Sequence, residues 1–87
     1  MHVKINTAAL HNEEVPIQDG AAQLVRMGFN PSTLPRVDRI KALAAALISE
    51  CQAVQAEVPD GGREAAVAIT DVQKASMMAV AAATAGL

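Results

Sequence analysis

Apolar side chains recur at Val37, Ile40, Ala44, Leu47, Cys51, Val54 and Val58, advancing by three and four residues in turn. That alternation is the period of a helix with one buried seam, and Leu43 and Ile48 widen the seam into a stripe that must face a core. The spacing predicts a helix over about Leu34 to Glu57, roughly 35 Å long at the usual helical rise. Ser32 or Thr33 can cap its start, and Pro35 is tolerated in a first turn, where a missing N–H has no partner to lose. The same steps return at Ala65, Ile69, Val72, Ser76, Ala79 and Ala83, flanked by Ala66, Met77 and Val80, and predict a second helix from Arg63 to about Ala85. Pro59-Asp60-Gly61-Gly62 separates the two, with Asp60 as the expected N-cap. So short a link forces antiparallel neighbours, a helical hairpin.

The residues before the hairpin are less regular. Ala21, Leu24 and Val25 fall at helical spacing within Gln18–Met27, and Gly28 supplies a stop. Gly28-Phe29-Asn30-Pro31-Ser32 then reads as a loop of turn formers. Further upstream, Val3 and Ile5 alternate with Lys4 and Asn6, which permits a short strand or an extended arm. Asn12, Glu13, Glu14 and Pro16 interrupt any longer pattern, and the stretch to Asp19 is expected to be an irregular arm. The expectation is therefore an all-α single domain, with an arm, short helix and loop over residues 1–33 and the hairpin over 34–87.

Composition sharpens this picture. The chain has 87 residues and is 52% apolar, but much of that fraction is alanine, and Phe29 is the only aromatic side chain. Alanine buries little area, so an isolated chain of this size has a thin core. Small domains offset such a deficit with disulfides, metals or self-association. Cys51 is the only cysteine and no Cys/His cluster exists, which leaves self-association. Small residues along the last helix let a neighbouring backbone approach closely, and Met77 and Met78 can fill irregular gaps between chains. The net charge of −2 argues against a general DNA binder but not against capture of a small anion by convergent basic groups. No signal-peptide layout opens the chain, and the apolar run Ala75 to Leu87 is too short to span a bilayer. A cytoplasmic protein with no membrane partner is expected.

The order of residues also resembles a known family. Ile40-Lys41 on a long helix, a tight turn, then Arg63-Glu64 followed by Ala66, Thr70, Ala75, Met77 and Ala79 is similar to the helical hairpin domain of phage anti-defence sponges, the anti-CBASS and anti-Thoeris sponges. The resemblance covers Pro35 to Ala85. It implies a protein that is not an enzyme and that sequesters cyclic nucleotide immune signals without cleaving them. It also implies a small helical homo-oligomer, commonly dimers assembled into a hexamer, with pockets formed between subunits and sometimes separate sites for cyclic dinucleotides and trinucleotides. The site of action implied is the cytoplasm of the infected bacterial host. Two departures stand out. Met78 occupies the position where relatives often carry Trp, and there is no Tyr to stack on a base, which leaves Phe29 as the only ring.

A nucleotide sponge needs cations and N–H donors for phosphates and a planar or apolar wall for each base. Arg36 and Arg39 share a face at the start of the long helix, with Lys41 close by. Two cations there oppose the positive helix end, an arrangement that an anion would offset. Phe29, Asn30 and Ser32 immediately precede them and add a ring, an amide and a hydroxyl. The plain alternative is a capping loop with solvated arginines. Gly61-Gly62-Arg63 is a second candidate, since glycines at a helix start leave N–H groups open to an anion. Its spacing is not that of a P-loop, and a simple turn with an exposed Arg explains it equally well. The resemblance makes Arg63 the leading single candidate, with Thr70 two turns on as a possible hydroxyl donor or merely a helix-packing residue. Arg36 and Arg63 fall at opposite ends of an antiparallel hairpin, roughly 30 Å apart, so they serve different sites or meet across chains. His2 and His11 have no partner, Cys51 sits on the apolar seam, and Glu13-Glu14 reads as a solvated acidic loop. No catalytic set and no cofactor are expected. The alternative to a sponge is a small helical homo-oligomeric structural or adaptor protein with no nucleotide ligand.

Overall fold

Five elements make up the computed structural model, which describes residues 1–87. They are β1 (His2–Ile5), β2 (Glu13–Pro16), α1 (Asp19–Leu24), α2 (Pro35–Glu57) and α3 (Gly62–Ala83). The helical hairpin is present as the spacing predicts, but the arm is not irregular and the fold is not purely helical. β1 and β2 pair antiparallel, with Val3 opposite Val15 and Lys4 opposite Glu14. The physical reason lies in residues that look like pattern breakers. Thr7 closes the connection: its amide donates to the Leu10 carbonyl at 2.9 Å, and its hydroxyl accepts from the Leu10 amide at 3.1 Å. Asn12 takes a left-handed φ of 56°, which its short polar side chain tolerates. Pro16 ends β2 opposite His2, at a strand end where no ladder N–H is required of it.

α1 is shorter than its apolar spacing suggests, and Gly28 is not its stop. The Met27 amide donates to the Ala22 carbonyl at 2.9 Å and the Arg26 amide to Gln23 at 3.1 Å. This pair of bonds is a Schellman termination, with Arg26 at φ 56° in the left-handed position that glycine usually fills. At the other end of α1, the Gln18 amide donates to Ser49 Oγ at 3.0 Å, and that hydroxyl donates to the Ala45 carbonyl at 2.9 Å. One side chain on α2 thus fixes where α1 begins.

Pro35 opens α2 as expected, but Leu34, not Ser32 or Thr33, is its N-cap. Ser32 still helps, because its Oγ accepts the Leu34 amide at 3.3 Å. Gly61 rather than Asp60 caps α3, without a side-chain bond. The α3 seam falls where the spacing puts it: Ala65 and Ser76 are buried, and Ile69, Val72, Ala79 and Ala83 are half-buried.

The α2 seam is only partly where it was expected. Val37 and Ile48 are fully buried and Ile40, Ala44 and Cys51 half-buried, but Leu47 is 52% and Leu43 58% exposed, and Val54 and Val58 are also exposed. The cause is that α2 has two neighbouring layers. α3 packs along it, while β1, β2 and α1 pack on another side. The second contact draws Ala45, Ala46 and Ile48 into a core with Ile17, Ala21 and Val25. Burial therefore follows the small residues at 45 and 46, and the leucines at 43 and 47 are left facing solvent in the single chain.

The turn between α2 and α3 is tight for a definite reason. A Cβ on Gly61 would sit 3.0 Å from Val54 Cγ1 and 3.3 Å from Val58 Cγ1, whereas one on Gly62 would meet nothing within 4 Å. Both valines are β-branched and stiff. Gly61→Ala is expected to destabilise the protein by about 1 kcal/mol, whereas Gly62→Ala, entering a helix without a clash, stabilises it by about 0.5 kcal/mol. Thermal unfolding of both variants should show melting temperatures moving in opposite directions.

Candidate functional site

The loop between α1 and α2 is built on Asn30. Its Nδ2 donates to the Leu34 carbonyl at 2.9 Å and to Asp38 Oδ1 at 3.1 Å, and its Oδ1 accepts from Ser32 Oγ at 2.6 Å. The amide and the hydroxyl proposed from sequence as ligand contacts are thus engaged in holding the start of α2. Gly28 at φ 89° and Thr33 at φ 57° bend the chain around them.

Lys41 sits beneath this loop. It is only 7% exposed. Its Nζ donates to the Arg26 carbonyl at 3.0 Å and to the Phe29 carbonyl, and it lies 5.4 Å from the centroid of the Phe29 ring. A buried ammonium without partners would be costly, and these carbonyls together with the ring face compensate it. Phe29 itself is 61% exposed, an unusual position for the chain's only ring.

Loop and hairpin together enclose two open hollows that share Phe29, Lys41 and Val80 as walls. One, of about 290 Å³, lies between Arg26 and Phe29 on one side and Ser76 and Met77 of α3 on the other. The second, of about 440 Å³, is lined by Asn30, Ser32 and Val37 and by Thr84 near the end of α3. The second is within the range of small-ligand sites and the first just below it, and both are mostly apolar with a few polar groups. Arg36 and Arg39 flank a third hollow of about 300 Å³ with Ala83. The presence of Ala83 beside them places the start of α2 against the end of α3.

The structure therefore groups Phe29, Asn30, Ser32 and Lys41, sets Arg36 and Arg39 alongside in a separate hollow, and leaves Arg63 and Thr70 toward the other end of the hairpin. Arg63 is exposed, with only the adjacent Glu64 carboxylate near it at 3.9 Å. Two solvated charges so placed attract weakly, so the guanidinium is not tied down. Thr70 Oγ1 donates back to the Ala66 carbonyl at 3.4 Å along its own helix. The sequence reading missed Arg26, Ser76, Met77, Val80 and Thr84 as walls. The α3 residues could have been found by combining the seam at Ser76 with the antiparallel direction, which carries the end of α3 back to the start of α2.

No group of three or more His, Cys, Asp or Glu side chains is arranged to hold a metal ion, and no helix is long and apolar enough to cross a membrane. A search of protein families matches residues 19–84 to the family model described as "Acb2/Tad1, hairpin domain". No curated protein and no solved structure matches the chain.

The strained Arg26 position has a measurable consequence. A left-handed residue with a Cβ costs about 1 kcal/mol relative to glycine. Arg26→Gly is expected to raise stability by about that amount, a gain of roughly 4–8 °C in melting temperature for a domain of this size. An unchanged or lower melting temperature would show that the Arg26 side chain compensates the strain.

Proposed function

The chain belongs to the Acb2/Tad1 hairpin-domain family of anti-CBASS and anti-Thoeris sponges, and from that premise we propose that it is a phage anti-defence protein. It sequesters cyclic nucleotide immune signals without cleaving them, in pockets between subunits. The ligands are cyclic dinucleotides, cyclic trinucleotides or molecules of the cyclic ADP-ribose type, and the place of action is the cytoplasm of the infected bacterium. The observation that carries this reading is the family match, which spans α1, the loop, α2 and α3 as one piece.

Three features support it. An exposed ring at Phe29 stands over hollows of ligand size, which suits stacking on a base. Arg36, Arg39 and Arg63 are exposed cations whose planar forks suit phosphate. Leu43 and Leu47 on α2 and Met77 and Met78 on α3 are apolar and open, so further copies of the chain, in a dimer-based hexamer, would cover them and close the half-open hollows. Capture in this scheme needs no reacting group: the protein lowers the free signal concentration by mass action, and no enzyme activity is assigned. A structural or adaptor oligomer would use the same apolar faces but leaves the exposed ring and the arginines without a role.

Mixing the purified protein with cyclic dinucleotides, cyclic trinucleotides and cyclic ADP-ribose isomers tests the proposal. The expected outcome is thermal stabilisation by at least one of them, with intact ligand recovered after denaturation. Degraded ligand would make the protein an enzyme, and no response to any of them would favour the adaptor. Arg63→Ala is expected to weaken capture of at least one ligand class by about 2 kcal/mol, roughly thirtyfold, with fold and assembly retained. Unchanged affinity for every ligand would remove Arg63 from the site.

A further inference from the structure

We propose that Lys41 is a positioning residue, which holds the exposed Phe29 ring in place as the wall that meets the ligand's base, and is not itself a phosphate contact. The inference rests on the nucleotide-binding reading above and assigns the cations of the loop-side hollow different tasks. An ammonium has three N–H donors. In Lys41 the Arg26 and Phe29 carbonyls accept from it, and the Phe29 ring lies 5.4 Å away. Only 7% of the residue is exposed and carbonyls take two of its three donors, so at most one N–H remains toward the hollows that Lys41 lines, beside the ring.

The loop has need of such a tether. Arg26 at φ 56°, Gly28 at φ 89° and Thr33 at φ 57° all take left-handed conformations, and the Phe29 amide donates to the Arg26 carbonyl at 3.1 Å. The ammonium therefore grips both ends of the short segment that carries the ring, from the long and rigid α2. What the hollow offers to an incoming molecule is the ring, 61% exposed, and Arg26, a residue of its lining that is exposed. Arg26 is the cation open to a phosphate there.

The test begins without ligand. Amide hydrogen exchange is measured on the wild-type protein and on Lys41→Met, which keeps the apolar stem and removes the donors. The Phe29 and Met27 amides are expected to exchange about tenfold faster or more in the variant, while amides in the middle of α2 and α3 keep their wild-type rates. Equal loop protection in both proteins would overturn the proposal. Calorimetric titration with cyclic di-AMP and cyclic tri-AMP then follows on the wild type, Lys41→Met, Phe29→Ala and the double variant. Each single change is expected to weaken binding about tenfold, and the double variant no further than Phe29→Ala alone, because the effects run through one ring. The salt dependence of affinity should stay as in the wild type for Lys41→Met and become shallower for Arg26→Gln, which removes an exposed charge. Additive losses, with a shallower salt dependence in Lys41→Met, would make Lys41 a contact and overturn the proposal. If Lys41→Met does not fold, the Lys41 Nζ resonance of the wild-type protein decides: it is expected to hold its position on ligand addition, and a shift to that of a phosphate-bonded ammonium refutes positioning. A wild-type protein that takes up neither probe counts against sequestration of these signals, and the exchange measurement still decides whether Lys41 holds Phe29.

Discussion

Every other element of this protein rests on α2, and small side chains make that possible. α3 lies along it, while α1 and the two strands lie on another side, with Ala45 and Ala46 at the contact. Bulky residues at those positions would hold the neighbouring backbones apart. Alanines let them approach, at the cost of a thin core: 11 of 87 residues are buried, and among large side chains only Ile48 and Val37 are fully enclosed. Polar groups reinforce what apolar area cannot supply. Ser49 secures the start of α1 and Lys41 its end, both from the same helix. A change on α2 would therefore be felt in the loop, in α1 and in the hollows together.

This arrangement places the candidate chemistry in two regions. The loop from Met27 to Leu34 sits where the start of α2 meets the end of α3, and there the ring, the amide network and the hollows coincide. Arg63 opens α3 at the far end of the hairpin, exposed and close only to its neighbour Glu64. Length alone keeps the two regions apart, since a helix of 23 residues spans about 35 Å. In the proposed assembly, sites that draw on both regions form between chains, and separate ligand classes can occupy separate sites.

The hairpin was legible in the sequence because heptad spacing reports the buried side of a helix that has one partner. That condition holds for α3, and Ala65, Ile69, Val72, Ser76, Ala79 and Ala83 all fall on its packed face. It fails for α2, which has two. There the spacing counted Leu43 and Leu47 as core, although the contact selected the alanines and Ser49 beside them. A strand at Val3 and Ile5 was one of two options, because so short an alternation cannot be separated from an extended arm. The pairing with Glu13–Pro16 was not legible, because the Thr7 and Asn12 turn chemistry that joins the strands carries no apolar period. Phe29, Asn30, Ser32 and Lys41 lie together at the helix start, as their closeness in sequence suggested, whereas Arg36 and Arg39 line a separate hollow. Their bonding was not legible: that Asn30 and Ser32 are engaged with backbone and Asp38, and that Lys41 is buried, depends on the left-handed turn at Arg26. A cationic side chain followed by a methionine gives no sign of such a turn.

The central physical claim is that a chain with so little enclosed apolar surface, and with Leu43, Leu47, Met77 and Met78 open to water, is completed by copies of itself. Sedimentation equilibrium of the ligand-free protein at micromolar concentration tests this most directly. The account predicts a discrete assembly of several chains with no appreciable population of single chains. A folded single chain as the dominant species, with helical content intact across that concentration range, would contradict it.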